Sequence, residues 1–175
     1  MTAWVALLRG VNVGGITIRS AELADVFREL GFDGVRTVLA SGNVVFETGA
    51  ARRDDLKATI EQALGDRFGY DAWILLVTQE ELAAAIDAFP FDDADDARQP
   101  WVIFCVDDAT RDELTDAAAS LDPAVDPVAA GPGVVYWNPA KGTTTDTAFA
   151  KVLAKKAFKP RTTNRNLRTL CKLAL

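Results

Sequence analysis

Histidine is absent from all 175 residues. That removes Ser-His-Asp and Cys-His nucleophile arrangements and every histidine-ligated zinc site. Acid–base chemistry is left to carboxylates, lysine, tyrosine, cysteine or a bound cofactor, and no cofactor or metal is expected. Cysteine is scarce too. Cys105 lies inside the apolar run WVIFCV and Cys171 on the apolar stripe of the last predicted helix, which predicts two buried thiols rather than a disulfide or metal site. No apolar run approaches the roughly 20 residues of a membrane span. The opening MTAWVALLRGV carries neither a basic leader nor a signal-like cleavage site, so the expectation is a cytoplasmic protein without membrane association.

Positive charge is missing from most of the chain. The first 140 residues hold ten Lys/Arg against twenty-four Asp/Glu, whereas from Lys141 onward nine Lys/Arg face Asp146 alone, and the net charge is −6. This balance disfavours nucleic acid as a partner, while the basic last segment leaves an anionic partner open. Nothing in the sequence names a protein partner.

What is present is the balance of a soluble globular chain, 49% hydrophobic and 25% charged. TAWVALLR is apolar on both alternating faces until Arg9, the pattern of an interior strand. Ser20 is placed to cap a helix whose Leu23, Val26, Phe27 and Leu30 share one face, with Gly31 and Phe32 as its stop. VRTVLA and NVVFET read as strands around the turn Ser41-Gly42. Leu56, Ile60, Leu64 and Phe68 line a second helix, and AWILLVT is a fourth strand. Residues 3–78 thus spell β-α-β-β-α-β, the ferredoxin-like order.

Thr78 and Glu81 form a capping box before Leu82, Ala85, Ile86 and Phe89, and the acidic PFDDADDARQP follows as a solvated connector. The order then recurs. WVIFCVD is a strand; Thr110 and Glu113 read as a capping box before Leu114, Ala117, Ala118 and Leu121. DPVAA and VVYWN form a hairpin around Gly131-Pro132-Gly133, and helices are expected near 146–157 and along Leu167, Leu170, Cys171 and Ala174. The predicted fold is α+β: two tandem ferredoxin-like units, residues 1–79 and 101–175, joined by a helix and acidic loop at 80–100, with a C-terminal helix. The copies differ in one respect. The second spends only DDAT between its first strand and helix, the first spends Gly10 to Ile18, and long connections are more often functional.

That long connection contains GVNVGG. It fails the dinucleotide fingerprint because Asn12 stands at the second glycine, and it fails the P-loop because Ile16 and Thr17 replace the required Lys and Ser/Thr. Two readings remain: a turn whose glycines take positive φ and whose Asn12 bonds its own backbone, or a loop that contacts a ligand. In the βαββαβ order the end of the first strand, the turn between the second and third, and the start of the fourth share one rim. Arg9, Gly10, Asn12, Gly14, Gly15, Ser41, Gly42 and Asn43 are therefore expected side by side, as a mildly electropositive concavity or as a network locking two loops together.

A second candidate is RTTNRNLRT. Asn164 or Thr163 can cap the last helix, with Arg161 and Arg165 around its N-terminus as an anion seat; a capped helix with solvated arginines has the same composition. KGTTTD at 141–146 is ordinary cap chemistry. Trp4, Trp73, Trp101 and Trp137 read as core rather than as a base-stacking platform.

Taken in order, LLRGVNVGG, IRSAEL, LASGNVVF and TTNRNLRTLCKL resemble the bacterial family called domain of unknown function 1697, from about Trp4 to Leu173. The resemblance implies tandem α-β plaits and a set of candidate positions, with no established activity. The chain departs from the family at Leu167, where a tryptophan is common, and at Ile16-Thr17-Ile18-Arg19, where lysines are common, so a stacking face or charge contributed there is altered.

The reading that follows is a protein that binds a small anionic ligand, a nucleotide or phosphorylated metabolite, at the rim of 9–15 and 41–43. An enzyme on the same rim would use Arg9 to orient the anion and a carboxylate or Tyr70 for proton transfer. A nucleic-acid binder or a protein adaptor are the other classes, and the fold alone does not choose among them. Filter binding to RNA and DNA should show weak retention that falls steeply with salt; tight, sequence-selective retention at physiological salt contradicts the charge argument.

Overall fold

Strand β1 (Thr2–Leu8) carries apolar side chains on both faces, Trp4, Ala6 and Leu8 on one and Val5 and Leu7 on the other, and all five are buried. A strand of this kind belongs inside a sheet. The computed structural model, which describes residues 1–10, 16–39, 42–49 and 51–174, places it there. β1 pairs antiparallel with β3 (Asn43–Thr48) on one edge and with β4 (Ile74–Thr78) on the other, and β2 (Asp33–Thr37) pairs with β3, giving the order β2-β3-β1-β4. Helices α1 (Ser20–Glu29) and α2 (Arg53–Phe68) bury Leu23, Val26, Phe27, Leu56, Ile60 and Leu64 against Trp4, Leu8, Phe46, Ile74 and Leu76. Phe32, just past the α1 stop, stacks on Phe46 with ring centroids 4.7 Å apart.

β4 is an edge strand, and α2 covers its open polar groups. Glu61 accepts the Ile74 N–H at 3.0 Å, and Arg53 reaches the Leu76 carbonyl. Arg53 also pairs with Glu81 at 2.6 Å. Glu81 and Thr78 form the expected capping box at α3 (Gln79–Asp87): each side chain accepts the other's backbone N–H, at 2.9 and 3.1 Å.

The pattern recurs in β5 (Trp101–Cys105), α4 (Asp108–Ala118), β6 (Val128–Gly131), β7 (Val134–Trp137), α5 (Ala148–Leu153) and β8 (Thr162–Asn166), with sheet order β6-β7-β5-β8, all antiparallel. The described residues thus form an α+β protein with two four-stranded antiparallel sheets and six α-helices, the last being α6 (Leu167–Leu173). The chain divides into one unit of Met1–Leu82 with Lys172–Leu175 and another of Ala83–Cys171. In the second unit Ile103, Leu114, Val135, Trp137 and Phe149 share a core. The buried Asp126 ties it: its two oxygens accept from the Trp137 indole N–H at 2.9 Å and the Phe149 N–H at 3.2 Å. The β6–β7 hairpin turns at Pro132-Gly133 as expected. Gly131 leaves room for the buried Tyr136 ring, which a Cβ there would displace.

Local details depart from the sequence reading. Ser20 is already helical, and Arg19 occupies the N-cap without a side-chain bond. Asp107, not Thr110, caps α4; its carboxylate accepts from the Thr110 N–H at 2.7 Å and hydroxyl at 2.6 Å, a charge-assisted arrangement that outcompetes a Thr110–Glu113 box. β2 ends at Thr37, because Leu39 takes a left-handed φ of 59°. The helix expected over 146–157 is confined to α5, capped by Thr147. TTNRN is a strand, β8, paired along β5, so neither Asn164 nor Thr163 caps the last helix; the Asn166 side chain accepts the Arg168 N–H instead. Leu167, Leu170 and Leu173 form its buried face, which leaves Cys171 exposed. Cys105 is buried as expected, and burial pushes its thiol up to about 12. Among the described residues no helix is long and apolar enough to cross a membrane.

Candidate functional site

The rim of the first unit is set by two backbone bonds at the end of β1. Leu8 donates its N–H to the Gly42 carbonyl at 2.8 Å, and Arg9 donates to the Trp73 carbonyl at 3.0 Å. They continue the β1 ladder past its last pairs, Leu7 with Asn43 and Leu8 with Ile74. Three segments, 8–10, 42–43 and 73–74, are thereby fixed side by side, as the strand order requires. Gly10 and Gly42 have φ of 72° and 80°, values that favour glycine, so both ends of the exchange turn sharply at the rim.

Of the expected site residues, the structure brings together Arg9, Gly10, Gly42 and Asn43. Asn12, Gly14, Gly15 and Ser41 lie outside the described residues. Asn43 is fully buried and closes its own turn: its Nδ2 donates to the Val38 carbonyl at 2.9 Å, and its carbonyl accepts the Val38 N–H at 3.1 Å. This holds the left-handed Leu39 inside the connection.

Arg9 is half-buried, and desolvation draws its pKa below the ordinary arginine value. Its guanidinium carbon lies 5.7 Å from the centre of the Trp73 ring. Lys57 approaches the same ring from α2, with Nζ at 5.3 Å, while pairing with Glu61 at 2.6 Å. Trp73 is therefore a half-buried rim residue and not part of the core, and neither it nor Lys57 stood out in the sequence. The available signal was topological: Trp73 immediately precedes the strand that pairs beside Arg9. Tyr70, a candidate for proton transfer, is held as a phenol, since burial and then the Glu61 charge both raise its pKa.

The second candidate cluster is dispersed. Arg161 bonds Glu113 at 2.9 Å and the Ala157 carbonyl at 3.2 Å. Asn164 is exposed on β8. Arg165, opposite Val102, is buried; its Nη1 donates to the Thr163 hydroxyl at 2.7 Å and the Asn164 carbonyl at 2.9 Å, and burial lowers its pKa to about 10. The anion seat expected at the start of the last helix is not formed, because β8 occupies that stretch and carries Arg165 into the sheet. No cluster of three or more Cys, Asp or Glu able to hold a metal occurs among the described residues.

The model of a family described as protein of unknown function, DUF1697, matches residues 1–136. The chain belongs to the DUF1697 family. Its match spans the first six strands and ends within the seventh. The DUF1697 chain is also similar in structure to a conserved bacterial protein from Streptococcus pneumoniae, with a TM-score of 0.81 and 24% identity over 99% of this chain and 97% of that one. That likeness concerns the fold. No curated protein matches the chain.

The buried amide of Asn43 generates a stability prediction. Asn43→Ala removes both polar ends of the side chain from a closed site and should lower unfolding free energy by about 1–3 kcal/mol in urea denaturation. A variant within about 0.5 kcal/mol of the parent would show that the turn does not depend on this tie.

Proposed function

We propose that this DUF1697 protein binds a small anionic ligand, a nucleotide or phosphorylated metabolite, at the rim of its first unit formed by loop 9–15 and turn 41–43. The observation that carries the reading is Arg9. A guanidinium beside Gly10 and Gly42, partly desolvated and close to an indole, gains more from an incoming anion than a solvated surface arginine does. The backbone bonds of Leu8 and Arg9 make the platform largely pre-formed, which lowers the ordering cost of binding. Asn43 serves this site from behind, by holding the turn. We read each unit as a ferredoxin-like plait, a reading supported by the shared strand orders β2-β3-β1-β4 and β6-β7-β5-β8.

Thermal shift against nucleotides, sugar phosphates and inorganic phosphate tests the reading. A ligand at a hundredfold its Kd should stabilise the parent by about 2.7 kcal/mol. Arg9→Gln should lose that response while remaining folded, as its ligand-free melting transition reports. A parent indifferent to every anion, or an Arg9→Gln variant with an undiminished response, overturns it.

A further inference from the structure

The end of α6 is finished by side chains far from it in sequence. The last carbonyls of an α-helix have no partner within the helix, and Ala174 rather than a glycine follows α6. Two residues supply the donors. Arg36 of β2 donates from Nη2 to the Leu173 carbonyl at 3.0 Å and from Nη1 to the Lys172 carbonyl at 3.4 Å. Gln79, the first residue of α3, donates from Nε2 to the same Leu173 carbonyl at 3.0 Å. A guanidinium at a helix C-terminus also meets the negative end of the helix dipole. The Leu173 side chain is fully buried, and Lys172–Leu175 group with Met1–Leu82 as one unit. The clasp therefore lies within the first unit, although 137 residues separate Arg36 from Leu173.

What it clasps is the least buried strand of that unit. β2 is an edge strand of five residues with no buried side chain, and its register with β3 shifts between Asp33 and Arg36. Past the shift, Arg36 pairs with Val45 and Thr37 with Val44. Val38 follows at once, its N–H on the Asn43 carbonyl and its own carbonyl on the Asn43 amide. Local opening begins where pairing is short and few apolar side chains are buried, and Arg36 is anchored from outside the sheet at that point. We propose that the last turn of α6 is a strap: seated on Arg36 and Gln79 it holds β2 and the Val38–Asn43 closure shut, and unseated it lets both open while β1, β4, α1 and α2 stay folded. Gly42 and Asn43 form one side of the rim, so the order of that side depends on the end of α6. The inference does not rest on a ligand being bound there.

Residue-resolved amide hydrogen exchange on the full chain tests it, in the regime where exchange reports the opening equilibrium. Two variants break the clasp from opposite sides. Arg36→Met removes the guanidinium donors; Leu173→Ala unseats the helix end and leaves Arg36 in place. Each should speed exchange at Val38 and along the β2–β3 pairing by about tenfold or more, with Val5, Ile60 and Leu64 unchanged. The double variant should exchange there no faster than the quicker single one, because both remove the same device. Arg36→Lys, which keeps the charge and a donor, should recover part of the protection. Gln79→Ala takes one bond from Leu173 and removes no buried apolar group, so it keeps the test open where Leu173→Ala fails to fold; it should speed Val38 by a smaller factor. A parental rate at Val38 in Gln79→Ala, or in a folded Leu173→Ala, shows that Arg36 steadies β2 without the strap and overturns the inference. Equal acceleration of all amides of Met1–Leu82 in Arg36→Met overturns it too, since the end of α6 then supports the whole unit and not one edge.

Discussion

β1 is hydrogen-bonded along both edges and buried on both faces, and the first unit is arranged around that constraint. Each fully buried Val or Leu of such a strand contributes about 1.5–3 kcal/mol, so no other placement of TAWVALL competes with the sheet interior. Apolar side chains on both faces leave the register undetermined by pattern alone, because a one-residue slip would exchange one apolar set for another. The neighbours decide it. Phe46 sits opposite Trp4 and stacks on Phe32, and Asn43 sits opposite Leu7 with its amide closed onto Val38. A slip would pull Asn43 out of its turn, and with it the carbonyl of Gly42 from Leu8. The rim is thus a consequence of the register: once β1 is pinned, Arg9 must emerge between Gly42 and Trp73.

The second unit solves the same topology without a comparable rim. Only residues 106–107 separate β5 from α4, against 9–19 between β1 and α1, so no long loop can crown that end of its sheet. Its polar groups are used for closure. Asp126 joins β7 to the start of α5, Asp107 caps α4, and the Tyr136 hydroxyl is bonded to the Ala85 carbonyl. The arginines near its end are spoken for in the same way, Arg161 by Glu113 and Arg165 by Thr163 and the Asn164 carbonyl. The cationic and aromatic side chains of the candidate site belong to the first unit.

Much of this was legible from residue patterns. Helical stripes gave α1 and α2, Thr78 with Glu81 gave the box before α3, and Gly131-Pro132-Gly133 gave the hairpin. The strand order, inferred from βαββαβ alone, was enough to put Arg9 beside the Gly42-Asn43 turn. TTNRN does not read as a strand because it has no apolar alternation; the side chains it buries are Thr162, whose hydroxyl donates to the Phe158 carbonyl, and Thr163 and Arg165, which bond each other. Asp107 does not stand out as a cap because Thr110 and Glu113 match the usual box spacing, yet its carboxylate, one turn earlier, makes the stronger bonds. At the site, Asn43 could equally have faced a ligand or its own backbone, and composition does not distinguish the two. Trp73 looked like core because an aromatic at a strand start usually is; its place at the sheet end, reached by cations from two elements, emerges only in three dimensions.

On our proposal, a pre-formed rim pinned through β1 receives the anion. Residue-resolved amide hydrogen exchange with and without glycerol 2-phosphate tests it most directly. The Leu8 and Arg9 amides, bonded across the rim, and the Val38 amide, bonded to Asn43, should be protected to nearly the level of central β1 in the free protein, and ligand should slow exchange further around 8–10, 42–43 and 73–74. Fast exchange at Leu8 and Arg9 in the free protein, or ligand-induced protection confined to Ala83–Cys171, would contradict it.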